Sequence, residues 1–154
     1  PQMMRGYWNL ADESAEALKG GWMHTGDAGR IDDDGYIFIQ DRVQDMIVSG
    51  GENVYPATVE AALFEHPAVA DVAVIGIPDE KWGETVKAMV MLREGESVSE
   101  EELIDFCDGR LGGFERPRSV DFIAEIPRNA SGKVLKRELR EPFWEGHERR
   151  VGGV

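Results

Sequence analysis

Residues 41–56 have the sequence DRVQDMIVSGGENVYP, and this stretch decides the fold. Its β-forming runs at 46–48 and 53–55 flank two adjacent glycines, Gly50 and Gly51. Glycine readily adopts the positive φ angles that a two-residue hairpin turn requires. The stretch therefore predicts a tight glycine hairpin at the start of a folded unit.

The sequence after this hairpin alternates helical and strand patterns. Pro56 favours the first turn of a helix, and Ser99 with Glu102 forms a capping box that begins another. The predicted elements are a helix at about 56–65, strands at 69–77 and 85–93, a helix from 99 to about 111, a strand at 119–124 and a short basic helix at about 134–140. This order predicts an α+β fold, in which a small sheet of about three strands is flanked by helices and joined by the glycine hairpin.

The first forty residues have a different pattern. Residues 22–40 predict two strands around a turn at 32–35, because the second run, 36–39, is rich in β-forming side chains. A two-stranded hairpin is only marginally stable by itself. Since the chain opens on Pro1 and its first methionine is Met3, we expect it to be a piece of a longer protein.

The composition narrows the classes of function. The chain has 17 basic and 30 acidic side chains and a net charge of −13. This charge argues against general nucleic-acid binding, so an anionic ligand needs a local group of cations. The candidate cations are Arg116, Arg118, Arg128, Lys133, Lys136 and Arg137. No segment resembles a signal peptide or a membrane span. The single cysteine, Cys107, lies in an apolar periodic pattern that predicts a buried helical thiol.

Three short segments carry the chemically informative side chains. They are residues 24–27 (HTGD), residues 41–56, and residues 127–133 (PRNASGK). In this order and spacing they resemble the AMP-forming acyl-CoA synthetases, the luciferases and the nonribosomal adenylation domains. Within that adenylate-forming superfamily, the chain is most similar to the fatty acyl-CoA ligases. The resemblance extends over nearly the whole chain.

This resemblance implies a two-step reaction in a cytoplasmic enzyme of fatty acid metabolism. A carboxylate attacks the α-phosphorus of ATP and expels pyrophosphate, and the thiol of CoA then displaces AMP from the acyl adenylate. The implied ligands are ATP with Mg²⁺, CoA and a fatty acid. Residues 1–40 are then the end of a large adenylation domain, and residues 41–154 are the small C-terminal lid domain. The expected partner is the upstream part of the same enzyme, without which we expect an inactive chain with no tightly bound ligand.

The resemblance assigns three residues to the first step. Lys133 matches the lysine that places positive charge between the carboxylate and the α-phosphate. Asp27 matches the aspartate that accepts hydrogen bonds from the ribose hydroxyls, and Arg42 an arginine that contacts the same ribose. Without the motifs, Lys133 is an ordinary surface lysine, Asp27 a turn residue, and Arg42 a partner of a neighbouring aspartate. No residue is assigned to a metal.

A second group of residues is assigned to CoA. Its members are Ser49, Gly50 and Gly51 of the hairpin, with Trp82, Phe114, Arg116 and Arg118. The glycines let backbone come close to pantetheine, while the aromatic and basic side chains match positions beside the CoA nucleotide. The chain departs from the family at Glu115, where relatives usually carry a basic residue. An ordinary hairpin turn and a half-buried loop tryptophan remain the alternatives.

Gln44 matches the hinge about which the small domain of the family rotates between the two steps. Relatives usually carry Asp or Lys there, so the chain lacks the usual charge. Two other functions remain open: a different adenylating enzyme, such as an aryl-CoA ligase or a carrier-protein-loading domain, and a binding module without catalysis. We also expect residues 1–40 either to pair with a second copy of the chain or to be poorly ordered, because they carry much apolar surface without the large domain that the resemblance implies. The β-forming run at 36–39 favours the dimer.

Overall fold

The computed structural model describes residues 2–147 and divides the chain into two compact units. One unit ends at Arg42 and the next begins at Val43. The predicted boundary lies two residues earlier, between positions 40 and 41. The assignment of the first unit to a larger upstream domain stays a prediction.

The first unit is a helix followed by a β-hairpin. Its elements are α1 (Ala11–Ala17), a 3-10 turn (Lys19–Gly21), β1 (Asp27–Ile31) and β2 (Ile37–Arg42). The strands pair antiparallel around a turn in which Asp32 Oδ1 accepts hydrogen bonds from the amides of Asp34 and Tyr36. The sequence analysis predicts the turn but not α1. None of the described residues of this unit is buried. Helix α1 therefore has no buried apolar face, which is the feature from which a helix is usually predicted.

The second unit contains the remaining elements. They are a 3-10 turn (Val43–Asp45), β3 (Ile47–Ser49), β4 (Glu52–Val54), α2 (Pro56–Phe64), β5 (Val69–Asp79), β6 (Gly83–Leu92), α3 (Glu100–Phe106), β7 (Ser119–Phe122), α4 (Lys136–Arg140) and a second 3-10 turn (Glu141–Phe143). These bounds follow the predicted order of helices and strands. The α+β prediction is therefore confirmed.

The strands of the second unit form one five-stranded sheet in the order β4-β3-β6-β5, with β7 also on β6. The long antiparallel pair β5–β6 runs from Val69 opposite Leu92 to Asp79 opposite Gly83, while β7 lies parallel to β6. The glycine hairpin joins this sheet where Ser49 pairs with Gly83. The sheet is therefore larger than the predicted three strands, because the hairpin is part of it.

The core of the second unit lies between the sheet and its helices. Its fully buried side chains include Ile47, Leu63, Ile75 and Leu103. Cys107 lies in the same cluster and is also fully buried, so burial raises the pKa of its thiol. The prediction of a buried thiol is confirmed, although Cys107 directly follows α3.

Two further findings bear on function. Helix α3 ends at Phe106, earlier than the predicted position near 111, and Gly109 shortly beyond it has a φ of 73° that a continuing helix does not accept. Every helix in residues 2–147 is too short or too polar to span a bilayer.

Candidate functional site

The loop that carries Lys133 is held by the side chain of Asn129. Asn129 Oδ1 accepts hydrogen bonds from Ser131 N (3.0 Å), Ser131 Oγ (2.8 Å) and Lys133 N (2.9 Å). Asn129 N also donates to the Lys133 carbonyl at 2.9 Å. Both backbone groups of Lys133 are therefore fixed by one residue, while its exposed ammonium makes no hydrogen bond or ion pair within residues 2–147.

Two of the four predicted cations around this loop form ion pairs. Arg128 Nη2 lies 2.7 Å from Asp71 Oδ2, and Lys136 Nζ lies 2.7 Å from Glu60 Oε1. Glu60 Oε1 also accepts a hydrogen bond from Val74 N. These two cations are engaged in ion pairs, whereas the exposed side chains of Lys133 and Arg137 make none within residues 2–147.

Asp27 and Arg42 lie opposite each other at the ends of β1 and β2. Arg42 Nη1 donates to Asp27 Oδ1 at 2.7 Å, so the guanidinium pairs with the other predicted ATP residue, while Arg42 N donates to Asp41 Oδ1 at 2.7 Å. The guanidinium Nε of Arg42 is buried without a hydrogen-bond partner in residues 2–147, and Asp27 Oδ2 also accepts none there. The strand register thus brings the two residues together and leaves one donor and one acceptor unused.

The glycine hairpin lies directly under the ring of Trp82. Gly50 N donates to the Trp82 carbonyl at 2.9 Å, and a Cβ added to Gly50 would lie 2.6 Å from Trp82 Cε3. Lys81 Nζ lies 4.4 Å from the centroid of the Trp82 ring, which is 42% exposed. Gly51 has a φ of 90° and open space where its Cβ would lie. The structure therefore brings together the hairpin and Trp82. Position 50 needs a glycine because its φ is 62° and because the Trp82 indole leaves no room for a Cβ.

The other predicted CoA residues lie on the loop before β7. Phe114 is exposed, and Arg116 Nη1 pairs with Asp108 Oδ1 at 2.9 Å. Arg118 N donates to the Val86 carbonyl of β6, while its exposed side chain makes no hydrogen bond or ion pair within residues 2–147. Glu115 Oε2 accepts a hydrogen bond from Gly112 N at 2.8 Å. The Glu115 side chain therefore stabilises the turn formed by residues 112–115.

These two groups of predicted CoA residues are separate in the second unit. Val86, opposite Arg118, lies four residues beyond Trp82 along the chain. At about 3.3 Å per residue of strand, the separation is about 13 Å. An extended ligand, such as pantetheine joined to a nucleotide, can therefore reach from Trp82 to Arg118.

Gln44 is exposed in the 3-10 turn that begins the second unit. The residue after it, Asp45, is buried, and Arg140 Nη1 of α4 donates to Asp45 Oδ1 at 3.0 Å. The predicted hinge thus lies beside the boundary between the two units, next to a buried ion pair. The sequence analysis missed both Asp45 and Asp71, although a charged residue within the apolar run 69–77 was a usable signal for Asp71.

Comparisons with known proteins identify the family of this chain. The sequence profile described as "AMP-binding enzyme C-terminal domain" matches residues 58–133, which include β5, β6 and the whole Lys133 loop. The chain belongs to this family. The prediction that it corresponds to the C-terminal part of an adenylate-forming enzyme is confirmed.

Relatives of this AMP-binding enzyme C-terminal domain include fatty acid ligases that are named for different acceptors. The chain is 50% identical over 151 residues to the fatty acid–[acyl-carrier-protein] ligase ScoC of Streptomyces coeruleorubidus, covering 98% of this chain and 29% of that protein. It is 48% identical over 141 residues to the long-chain-fatty-acid–CoA ligase FadD13 of Mycobacterium tuberculosis, covering 92% and 28%. The chain therefore spans under a third of the length of these curated relatives.

A solved structure agrees with the fold of the AMP-binding enzyme C-terminal domain. The o-succinylbenzoate CoA synthetase MenE from Bacillus subtilis, in complex with the acyl-adenylate intermediate OSB-AMP, matches with a TM-score of 0.84 and 38% identity. The match covers 99% of this chain and 30% of that one. The family and its fold are thereby established, whereas the roles of individual side chains are not.

Proposed function

We propose that the chain is the C-terminal part of an ATP-dependent fatty acyl-CoA ligase. The observation that carries the proposal is Lys133, whose backbone is fixed on both sides by Asn129 while its ammonium has no partner in residues 2–147. A cation held ready in this way is suited to meeting a ligand. The named activities of ScoC and FadD13 support a fatty acid as the substrate.

In the first step, the carboxylate oxygen of the fatty acid attacks the α-phosphorus of ATP. The bond between the α- and β-phosphates breaks, and pyrophosphate leaves. Two anions must approach each other, so the barrier falls if a cation lies between them. Lys133 supplies this charge, and its pairing with Asn129 only through the backbone leaves the side chain free to reach the phosphate.

Asp27 and Arg42 hold the ribose in the proposed complex. Asp27 Oδ2 is available as an acceptor for a hydroxyl, and the buried Arg42 Nε is an unused donor beside it. Because Arg42 Nη1 already fixes the carboxylate, Asp27 keeps one orientation before ATP arrives. The pair is thus ready to bind a vicinal diol without reorganising.

In the second step, the thiol of CoA attacks the acyl carbonyl carbon and AMP leaves. The hairpin turn at Gly50 and Gly51 lies beside the pantetheine arm, and the half-exposed ring of Trp82 contacts the same arm or the adenine. Arg118 is the free cation for the nucleotide phosphates, because Arg116 is shared with Asp108. The carboxylate of Glu115 is engaged by Gly112, which lessens its repulsion of those phosphates.

Mg²⁺ belongs to the proposed reaction as the ion bound by the ATP phosphates. Within residues 2–147, no group of three or more His, Cys, Asp or Glu side chains could hold a metal ion. No step assigned to this chain depends on a resident metal.

An aryl-CoA ligase is the second candidate function. The MenE match covers 99% of this chain, and MenE is named for o-succinylbenzoate, an aromatic acid. ScoC is named as a ligase for a carrier protein instead of CoA. Assaying the full-length enzyme with fatty and aromatic acids, and with CoA and a carrier protein as acceptors, separates these functions. Activity on aromatic acids alone would overturn the fatty acyl proposal.

Substituting Lys133 tests the proposed division of labour. Lys133→Ala in the full-length enzyme should slow acyl-AMP formation, since one preorganised donor contributes about 2.7–4 kcal/mol to transition-state stabilisation. Thioester formation from supplied acyl-AMP should be nearly unchanged. The control is Lys19→Ala, an exposed lysine that pairs only with Glu16. Equal losses in both half-reactions would contradict the role of Lys133.

Substituting Gly51 tests the second step. Gly51→Val should slow thioester formation more than acyl-AMP formation, because the new side chain points into open space where pantetheine is proposed to lie. Gly95→Val is a matched control, since Gly95 has a φ of 81° and the same open surroundings. If both variants lose thioester formation equally, backbone strain and not a ligand explains the effect.

Fixing Gln44 tests the hinge. Gln44→Pro holds φ near −65° and removes an N–H, so it should trap one orientation of the second unit. We expect acyl-AMP formation to be spared more than thioester formation. Wild-type rates in both steps would place the pivot elsewhere.

A further inference from the structure

Arg128 links the Lys133 loop to the sheet of the second unit. Its Nη1 donates to the Gly132 carbonyl at 2.8 Å, and its Nη2 donates to Asp71 Oδ2 at 2.7 Å. We propose that Arg128 and Asp71 are positioning residues, which set the direction in which Lys133 leaves the loop during acyl-AMP formation. This inference rests on the proposed role of Lys133.

The carbonyl held by Arg128 belongs to the peptide that joins Gly132 to Lys133. Gly132 has a φ of 83°, no neighbour within 4 Å of its Cβ position, and an amide that donates to the Asn129 carbonyl at 2.9 Å within the loop. Asn129 fixes the loop internally, through Lys133 N and the Lys133 carbonyl. These bonds move with the loop, whereas Arg128 connects it to a separate element.

Asp71 provides a rigid anchor on that element. It lies in β5 next to a bulge, where the pairing with β6 shifts between Val69 and Asp71. Its Oδ1 accepts a hydrogen bond from Val72 N at 2.9 Å, and its Oδ2 binds Arg128. Both carboxylate oxygens are used, so the side chain has little freedom to turn and transmits the position of the strand to the loop.

The chemistry of the link requires an arginine. One guanidinium contacts a carbonyl and a carboxylate at the same time with two separate nitrogens. A lysine ammonium is a compact point charge and does not reproduce this fork. Arg128 is 41% exposed and Asp71 24%, and such partly exposed ion pairs add little to the stability of a fold. The pair therefore has more effect on where Lys133 lies than on whether the unit folds.

The first experiment measures the link in the 154-residue chain alone, without assuming any activity. In Arg128→Gln, NMR-detected hydrogen exchange at the Gly132 and Lys133 amides should become faster, on the order of tenfold, because the loop opens more often. Arg110→Gln is the matched control, since Arg110 also donates to a backbone carbonyl (Phe106, 2.7 Å) and pairs with a carboxylate (Glu65, 3.7 Å). Unchanged exchange in Arg128→Gln would overturn the proposal.

The second experiment measures the two half-reactions in the full-length enzyme. Arg128→Gln and Arg128→Lys should slow acyl-AMP formation by roughly 10- to 100-fold, since a misplacement of about 1 Å can cost a factor of about 100. Thioester formation from supplied acyl-AMP should stay near wild type. In the control Arg110→Gln, the rates of both half-reactions should stay near wild type. Asp71→Asn should act in the same direction but less strongly, because Asn keeps the bond to Val72 N.

The combined variant distinguishes a shared link from two separate effects. If Arg128 and Asp71 act through one contact, Arg128→Gln with Asp71→Asn should be no slower than Arg128→Gln alone. Multiplied losses, or equal losses in both half-reactions, would overturn the positioning role. Loss of acyl-AMP formation in Lys133→Ala but not in Arg128→Gln would also overturn it while sparing the proposed function. Full acyl-AMP formation in Lys133→Ala would instead reject the proposed function.

Discussion

The two units of the chain differ in what holds them together. Among the described residues of the first unit none is buried, whereas the second has a core that includes the fully buried Ile47, Leu63 and Leu103. The first unit carries Asp27 and Arg42, and the second carries the Lys133 loop, the hairpin and Trp82. Candidate ATP residues thus lie both on a unit with a buried core and on a unit whose described residues are all at least partly exposed.

Separating the two units should give the largest difference between them in thermal unfolding. Residues 43–147 alone should unfold in one cooperative thermal transition, because the sheet and helices of this segment form its core. Residues 2–42 alone should show no transition, since a two-stranded hairpin is only marginally stable. Circular dichroism as a function of temperature measures both. A cooperative transition in the first segment would show that it needs no partner.

A pair of identical substitutions should sharpen the difference. Ile75 is fully buried in β5, while Ile37 in β2 is 69% exposed. Ile75→Ala should lower the free energy of unfolding by about 2–5 kcal/mol, and Ile37→Ala should change it by less than about 0.5 kcal/mol. Urea denaturation measures both, and the reaction of Cys107 with a thiol reagent reports opening of the second unit alone. Similar losses in the two variants would remove the distinction.

The apolar side chains of the first unit should favour association. Ile31, Ile37 and Ile39 are all more than half exposed, and the strand register places them on one face of the hairpin. At roughly 25 cal/mol per Å² of apolar area, covering such a face contributes several kcal/mol before entropy costs. Light scattering should show a dimer for residues 1–154 and a monomer once residues 1–40 are removed. An unchanged mass would reject a dimer formed through this unit.

The helix cap at Ser99 should give the smallest effect. Glu102 Oε2 accepts a hydrogen bond from Ser99 N at 2.8 Å, and this bond lowers the pKa of the Glu102 carboxyl. Ser99→Ala should cost about 1 kcal/mol of stability. Because the pKa is lower in the folded state, the carboxylate stabilises the second unit above the ordinary pKa of about 4.3, and this contribution is lost as the pH falls through the folded pKa. Ser99→Ala keeps the amide bond but removes the bond from Ser99 Oγ to Glu102 Oε2 (2.9 Å), so thermal unfolding should differ between wild type and Ser99→Ala at pH 7 and less at pH 3.

Local patterns predicted the second unit well because its elements carry their own signals. The capping box at Ser99 and the adjacent glycines at the hairpin turn specify backbone geometry within a few residues. Pairing across the chain was not predictable in the same way. The contact between Gly50 and Trp82, and the ion pair between Asp71 and Arg128, join residues 32 and 57 positions apart.

The candidate site shows the same limit. Lys133, Asp27 and Arg42 were named from the motifs, but the motifs did not indicate that Asp27 and Arg42 bind each other. That contact depends on the strand register, which shifts at Ala28 and Gly29. The short helix α1 also gave no signal, since it has no buried face. Local sequence patterns therefore do not predict the pairing of distant residues, or a helix that buries none of its side chains.

The buried ion pair between Asp45 and Arg140 joins the first turn of the second unit to α4, its last α-helix in residues 2–147. It joins two residues 95 positions apart in sequence, at a distance of 3.0 Å. A short linker could therefore connect the end of this segment to its start, and new termini could be opened in the turn between β5 and β6. Such a circular permutant would keep its core and the Lys133 loop while losing the chain connection through Gln44 to the first unit.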